Sequence, residues 1–363
     1  MIDFLIIGGG IAGLSAAARL APLGKTLVLE RENALGYHAS GRSAAMFEQN
    51  YGLASTVALS RASADFFATT DGGFLSPRGV MFLAKPEDRA AFEQACESFE
   101  ATPISTEDAC ARVPILKPEV AAFAAMHEEA ADIDTDRLLQ WCAKTCRAHG
   151  GEVRTGQAVT KIARTASGWQ VIANGAAYEA KLLLNAAGAW ADQIANLAGI
   201  APLGITPMRR SMARIPAPGG HDVRDWPMLL DVHEHWYAKP DAGSLIVSPA
   251  EEDPIAPFDA WPDDMVLAEG LARYQEFVSD EVTRLEASWA GLRSFTPDRN
   301  LALGPDGTES SFVWVAGQGG YGFQTAPAAS QLIADLITGQ SIALDTATRS
   351  ALDPRRFSKC PAA

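Results

Sequence analysis

The first thirty residues constrain this chain more than any other stretch. "DFLIIGGGIAGLSAAARLAPLGKTLVLERE" runs from an apolar segment through a glycine cluster and a small-residue helix pattern closed by Gly24 to a second apolar segment ending at Glu30. Strand, amphipathic helix and strand in that order predict a βαβ unit. Gly8, Gly10 and Gly13 form G-x-G-x-x-G at the strand-to-helix turn. There the first glycine permits the tight turn, the second lets a pyrophosphate approach the backbone, and the third brings helix against strand. The helix N-terminus attracts the negative charge. Glu30 falls where a carboxylate accepts hydrogen bonds from an adenosine ribose, which favours FAD or NAD over NADP. The competing reading is a glycine-rich turn in an unliganded α/β protein.

A second glycine-rich turn supports a flavin over a nicotinamide. Near the C-terminus the apolar strand "SFVWVAGQGGYG" runs into the helix "TAPAASQLIADLITG". A helix N-terminus supplies N–H groups and partial positive charge, which suits the flavin N1–C2=O edge that becomes anionic on reduction. Gly319, Gly320 and Gly322 would let the backbone approach the ring, whereas a nicotinamide needs no such stabiliser. Close packing is the bland alternative. Between the two turns, "PEDRAAFEQACESFEA" and "DTDRLLQWCAKTCRAHG" read as amphipathic helices, the second capped by Asp134 or Thr135 and stopped by Gly150. "GGEVRTGQAVTKIART" and "GWQVIANGAAYEAKLLLNAAGAW" read as strands that return the chain to the nucleotide-binding sheet. From about residue 204 to 292, prolines, aromatics and alternating segments such as "HEHWYAKPDAGSLIVSP" predict a mainly antiparallel sheet inserted as a second domain.

Charge and cysteine usage narrow the function classes. A formal charge of -14 and a pI near 4.9 argue against a nucleic-acid partner, since phosphate binding needs clustered Lys and Arg. Cys96, Cys110, Cys142, Cys146 and Cys360 form no C-x-x-C pair, and their odd number points to free thiols in a reducing compartment. Cys142 and Cys146 fall one helical turn apart without further ligands nearby, so packing is expected rather than a metal. His233 and His235 in "HEHWY" read as one face of a strand, again without a third ligand, and are expected to be solvated surface residues with no metal. The start "MID" lacks a basic signal-peptide region, and no apolar run reaches about 18 residues. No transmembrane segment and a cytoplasmic location are expected.

The segments "IIGGGIAGLSAAARLA", "LERE", "GYHASGRSAA", "ADIDTDRLL", "NAAGAWAD", "WYAKPDAG", "WAGLRSFTPD" and "GQGGYGFQTAPA" follow one another as in the D-amino-acid oxidase family of FAD enzymes, which the chain resembles from about residue 2 to 356. Within that family the likeness is greatest to the bacterial D-arginine dehydrogenase branch. The resemblance implies an α/β fold: a Rossmann-like FAD-binding domain of residues 1–75, 132–203 and 294–363, with an inserted α+β antiparallel-sheet substrate domain of residues 76–131 and 204–293. It implies non-covalent FAD, since no cysteine falls in the matched flavin-binding stretches. The implied cofactor contacts are Gly8, Gly10, Gly13, Glu30, Arg31, Val159, Ala187, Gly188, Gly319, Gly320, Tyr321 and Gly322, with Ser40, Gly41, Arg42, Ser43, Ala44 and Ala45 running along the cofactor.

At the substrate end, Arg210 and Arg293 match the family's substrate-contacting arginines, whose planar donors hold a carboxylate bidentately. Because Arg209 precedes Arg210, one of the two is open to being a solvated charge. Tyr51 and Tyr237 match tyrosines that close over the substrate, and Gly320 a glycine whose carbonyl accepts from the substrate amine. Unaided by the likeness, Tyr237 reads as a cross-strand packing residue.

Three positions depart from the D-arginine dehydrogenase pattern: Val80 replaces the glutamate that faces a guanidinium, Met46 a histidine and Glu48 a threonine. Val80 and Met46 favour a neutral or hydrophobic side chain, although Met46 fits core packing equally well. Glu48 is left with three roles: rescuing a basic or polar group, acting on the amine proton, or pointing away.

The implied reaction is oxidative deamination of a D-amino acid by hydride transfer from the α-carbon to flavin N5, giving a 2-oxo acid and ammonia. The electron acceptor is open among a quinone, another carrier and O2. Alternatives are a sarcosine- or glycine-type amine oxidase, a 2-hydroxy-acid oxidase, and a non-catalytic flavin-binding module.

Overall fold

The computed structural model describes residues 1–357 and contains two large sheets and a small connecting one. In the first sheet, strand Ile2–Ile7 lies between Thr26–Leu29 and Ala176–Asn185, parallel to both. Glu152–Arg154 extends it in parallel beyond Thr26–Leu29, and Phe312–Ala316 does so beyond Ala176–Asn185. Ala302–Pro305 closes that edge antiparallel. The first half of Ala176–Asn185 also forms an antiparallel meander with Val159–Thr165 and Gly168–Ala173.

Strand Ile2–Ile7 is nearly all apolar because both its faces are covered. Leu5 and Ile7 point into a core with Trp169, Ile194 and Trp314, while Phe4 and Ile6 point into another with Leu20, Leu332 and Ile333. Helices Ile11–Leu20, Thr135–Ala148 and Gly322–Thr338 cover the second face. The Asp134 side chain accepts from Arg137 N and is therefore the N-cap of the middle helix. The last helix begins at Gly322, directly on the glycine turn and earlier than the run from Thr325.

The second sheet is mainly antiparallel, as the alternating segments predict, but holds one parallel pair, Met228–Asp231 with Val80–Ala84. Its longest pairing joins Thr206–Ile215 to Ala287–Phe295. Met81, Leu83, Leu229 and Trp236 pack on one face; Val80, Phe82, Met212 and Tyr237 pack on the other. A three-stranded link of Met46–Phe47, Ala131–Ile133 and Leu75–Pro77 joins the layers. Met46 therefore lies on a strand, and the segment that follows it is turns.

His233 and His235 precede strand Tyr237–Asp241 in a turn, a correction to the strand reading; the reversal at Glu234, with φ of 55°, prevents a common strand face. His233 contacts Asp88 at 3.0 Å, and His235 contacts Asp231. Cys96, Cys110, Cys142 and Cys146 are free thiols; Cys360 lies outside the described residues. Burial pushes Cys142 up to about 12 and Cys146 up to about 11, which fits packing residues. Among the described residues no helix is long and apolar enough to cross a membrane.

Candidate active site

A cavity of about 420 Å³ starts at the carboxyl ends of the parallel strands and runs to the second sheet. It straddles the point where chain order reverses about Ile2–Ile7, the usual place for a ligand in an open α/β sheet. At the near end its wall includes Gly8, Gly10, Glu30, Arg31, Val159, Ala187 and Gly188. A Cβ on Gly8, whose φ is 115°, would lie 2.3 Å from Ala186 O. Gly13 does not face the cavity: its Cβ would lie 2.0 Å from Gly8 O, so its role is to seat the helix on the turn. Gly10 differs, since a Cβ there would meet only Ser40 Oγ, at 3.1 Å. Its bareness serves whatever enters the cavity.

Glu30 is buried, with Oε2 accepting from Gly9 N at 2.6 Å and Oε1 from Glu32 N at 2.8 Å. Each oxygen keeps a second lone pair for a ligand hydroxyl. Ser40 accepts from Ile11 N at 3.0 Å and so ties the following segment to the helix N-terminus. Ser40, Arg42, Ser43 and Ala44 line the middle of the cavity; Gly41 and Ala45 do not. Gly41 is turned against Gly36 O, which its N–H contacts at 2.6 Å, while Ala45 adopts φ of 58° and donates to Ser43 Oγ. Arg42 reaches the wall, but its guanidinium is committed to Asp259 and to the carbonyls of Ala260 and Ala290. It thereby binds the segment to the second sheet. A helix N-terminus, a bare glycine, a carboxylate with free lone pairs and an elongated cleft together fit an FAD molecule. None of the described cysteines lies in the wall.

The far end is built from the second sheet and the C-terminal glycine turn. In the pairing of Thr206–Ile215 with Ala287–Phe295, Met208 faces Arg293 and Arg210 faces Gly291. Arg210 and Arg293 are thus diagonal neighbours on one face, and both line the cavity. Arg209 projects to the opposite face and pairs with Asp253 and Asp263. It is an ion-paired partner of the edge strand, not a solvated charge.

Arg210 is 6% exposed, has a buried Nε without a partner, and meets Glu252 at 3.3 Å. Burial and the like charge of Arg293 hold it below the ordinary guanidinium value. Among the described residues Arg293 makes no hydrogen bond or ion pair within the protein. Its guanidinium lies against Gly320, where a Cβ would fall 2.9 Å from Cζ. Gly319, Gly320 and Gly322 line the cavity, whereas Tyr321 lies outside the wall and packs edge-on to Tyr51 at 5.3 Å.

Several expected substrate residues are displaced from the wall. Tyr51 donates to Glu234 at 3.0 Å, and burial raises its phenol well above its ordinary value, keeping it a neutral donor. Tyr237 is buried beside Met212 Sδ at 3.3 Å; Met212, not Tyr237, is in the wall. Met46 and Val80 pack with Met212 and Tyr237 in the apolar cluster behind the wall. Val80 is paired across the sheet with His127.

Glu48 is the largest correction. It is buried away from the cavity, with Oε2 2.6 Å from His127 Nδ1 and Oε1 accepting from Asn50 N. The Glu48 hydrogen bond raises the His127 value above its ordinary 6.5. Of the three roles open to Glu48, the structure selects pointing away.

The sequence reading passed over His38, Trp190 and Glu252. His38 and Trp190 line the cavity, with ring centroids 4.6 Å apart, and Arg31 lies over Trp190 at 5.0 Å. His38 and Trp190 sit inside the quoted "GYHASG" and "NAAGAW" stretches, where an aromatic beside small residues was the available signal.

A family model described as FAD dependent oxidoreductase matches residues 3–336. The chain is 26% identical to FAD-dependent oxidoreductase domain-containing protein 1 of Bos taurus, over 92% of this chain and 81% of that protein. It is 24% identical to 4-methylaminobutanoate oxidase (formaldehyde-forming) of Paenarthrobacter nicotinovorans, over 98% of this chain and 45% of that one. Among solved structures, glycine oxidase from Geobacillus kaustophilus superposes with a TM-score of 0.81 at 23% identity, covering 95% of this chain and 96% of that one. L-proline dehydrogenase from P. horikoshii gives 0.82 at 23% identity, covering 99% and 98%.

Proposed function

This chain belongs to the DAO family of FAD-dependent oxidoreductases, and we propose that within it the protein oxidises the Cα–N bond of a D-amino acid with a neutral or hydrophobic side chain. One observation carries the reading. Among the described residues Arg293 has no hydrogen-bond or ion-pair partner; it lies beside the buried Arg210 and opens with it on a cavity that continues from a dinucleotide-type glycine turn. Two such cations left without full compensation favour a ligand carboxylate.

In this reading residues 1–75, 132–203 and 294 onward hold FAD, and residues 76–131 and 204–293 shape the substrate end. The turns at Gly8–Gly10 and Gly319–Gly322, with Glu30 and the Ser40–Ala44 segment, cradle the cofactor. The chemistry that bound FAD supplies is acceptance of a hydride from the substrate α-carbon. Arg293 and Arg210 fix the carboxylate, the Gly320 carbonyl accepts from the amine, and Met212, backed by Tyr237, bounds the remaining side. The amine loses its proton to solvent, since Glu48 is engaged with His127. Orientation is then the main contribution of these side chains. The imine product hydrolyses in water to a 2-oxo acid and ammonia. The D-configuration rests on the resemblance to the D-arginine dehydrogenase branch, and the neutral side chain on Val80, Met46 and Met212.

Anaerobic bleaching of the flavin absorbance near about 450 nm, a property of the cofactor, tests the reading against D- and L-amino acids, sarcosine and 2-hydroxy acids. Bleaching by D-leucine, D-methionine or D-phenylalanine but not D-arginine is expected; bleaching by hydroxy acids alone overturns it. A secondary-amine substrate is the second reading, favoured by the likeness to a protein named 4-methylaminobutanoate oxidase (formaldehyde-forming). Formaldehyde in place of ammonia among the products would select it.

A further inference from the structure

Glu252 is not itself in the cavity wall but contacts the wall residue Arg210, and it is shared unequally by two arginines. Its Oε1 is 3.3 Å from Arg210 Nη2, a long contact, whereas its Oε2 is 2.7 Å from Arg299 Nη2. Arg299 is partly exposed and its guanidinium stacks 3.8 Å from the Phe295 ring centroid, which places it on the outer side of Glu252. The same ring fills the space where Gly319 would carry a Cβ. Glu252 is thus drawn outward by that cation and only partly neutralises Arg210.

The other acids nearby are occupied except Glu251, whose buried Oε2 has no partner and whose carboxyl is raised by burial above its ordinary value. Asp253 and Asp263 pair with Arg209 on the opposite face of the strand. Glu251 accepts from Ser211 N at 2.6 Å, and Glu234 accepts from Tyr51. Two cations, Arg210 and Arg293, therefore face the cavity with one shared carboxylate. That balance leaves room for one added negative charge.

We propose that Glu252 is a specificity-determining residue that restricts the site to substrates with a single carboxylate. The inference rests on the reading of Arg210 and Arg293 as a carboxylate site. A first carboxylate takes the unpartnered Arg293 and the free donors of Arg210. A second one on the same molecule finds no free cation and feels the charge of Glu252 behind Arg210, and like charges in a partly desolvated site repel. Arg299 sets the strength of the restriction by holding Glu252 off Arg210.

The test uses oxidised holoenzyme at constant ionic strength and two probes with the same three-carbon chain, propionate and malonate. Binding is read as a perturbation of the flavin visible absorbance, independent of turnover. Wild type is expected to bind propionate more tightly than malonate, and Arg293→Met to lose both. Glu252→Gln is expected to raise malonate affinity relative to propionate at least tenfold, and Glu252→Asp to restore the wild-type preference. Arg299→Met, which lets Glu252 close on Arg210, is expected to weaken both probes several-fold. If Arg293→Met abolishes propionate binding but Glu252→Gln leaves the ratio unchanged, the role of Glu252 is overturned and the carboxylate site stands. Should propionate fail to bind wild type, or bind Arg293→Met equally well, the carboxylate site itself falls, and the restriction with it. If Glu252→Gln does not retain flavin, Arg299→Met decides alone, and unchanged affinities there overturn the proposal.

Discussion

The two ends of the cavity are made differently. At the glycine-turn end the protein satisfies itself: Gly8 and Gly13 are fixed by backbone that would collide with any Cβ, and Glu30 already accepts two backbone hydrogen bonds. At the arginine end, Arg293 has no hydrogen-bond or ion-pair partner among the described residues and Arg210 has half of one. The first end is stable before a ligand arrives; the second is completed by one. Residues at the two ends should therefore respond in opposite ways to substitution.

The largest effect is expected at Gly13. Gly13→Val drives a side chain into Gly8 O, and a loss of about 3 kcal/mol or more is expected, with no flavin recovered on purification. Gly10→Ala sharpens the contrast, because its Cβ meets no backbone and only the Ser40 hydroxyl, at 3.1 Å, which needs to give by a few tenths of an ångström. Thermal unfolding of its apoprotein should move by less than about 1 kcal/mol while FAD affinity falls. Equal destabilisation by both would erase the distinction between packing and ligand-facing glycines.

Next is Arg293→Met at the other end. Loss of charged hydrogen bonds worth about 1.5–3 kcal/mol should raise KM roughly 10- to 100-fold for every substrate. Tm is expected to hold or rise, since no hydrogen bond or ion pair among the described residues is lost. A fall in Tm with KM unchanged would make Arg293 a structural residue.

Smallest is the effect at Glu48, which belongs to neither end. Glu48→Gln should cost about 1–3 kcal/mol through the weakened His127 contact, with kcat little changed. Because the pair raises the His127 value, its stabilisation is complete below the ordinary 6.5 and is lost as pH rises through the higher folded value. Wild type should lose stability over that interval and Glu48→Gln should not. A parallel pH profile in the two proteins would place the titration elsewhere.

These differences explain what could be read from the chain. The glycine-turn end depends on neighbours in sequence, so spacing and periodicity expose it. The arginine end depends on strand phase, where a shift of one residue exchanges Arg209 for Arg210. The pairing of Met208 with Arg293 fixes that phase, and nothing local to "MRRSM" states it. Glu48 was misplaced for a similar reason: its partner is His127, on a strand far along the chain. Glu252 was hidden in the acidic run "AEED", where only the fold distinguishes a carboxylate on Arg210 from one on Arg209.

The placement of strand Phe312–Ala316 beside Ala176–Asn185 has a consequence for biosynthesis. The N-terminal glycine turn leaves the ribosome first, yet the helix Gly322–Thr338 that closes the same cleft follows about 300 residues later. At roughly 5–20 residues per second, the cleft stays half-walled for about 15–60 s of synthesis. FAD capture is thus a late event, and the nascent chain must keep its parallel sheet edge covered until the final strand arrives.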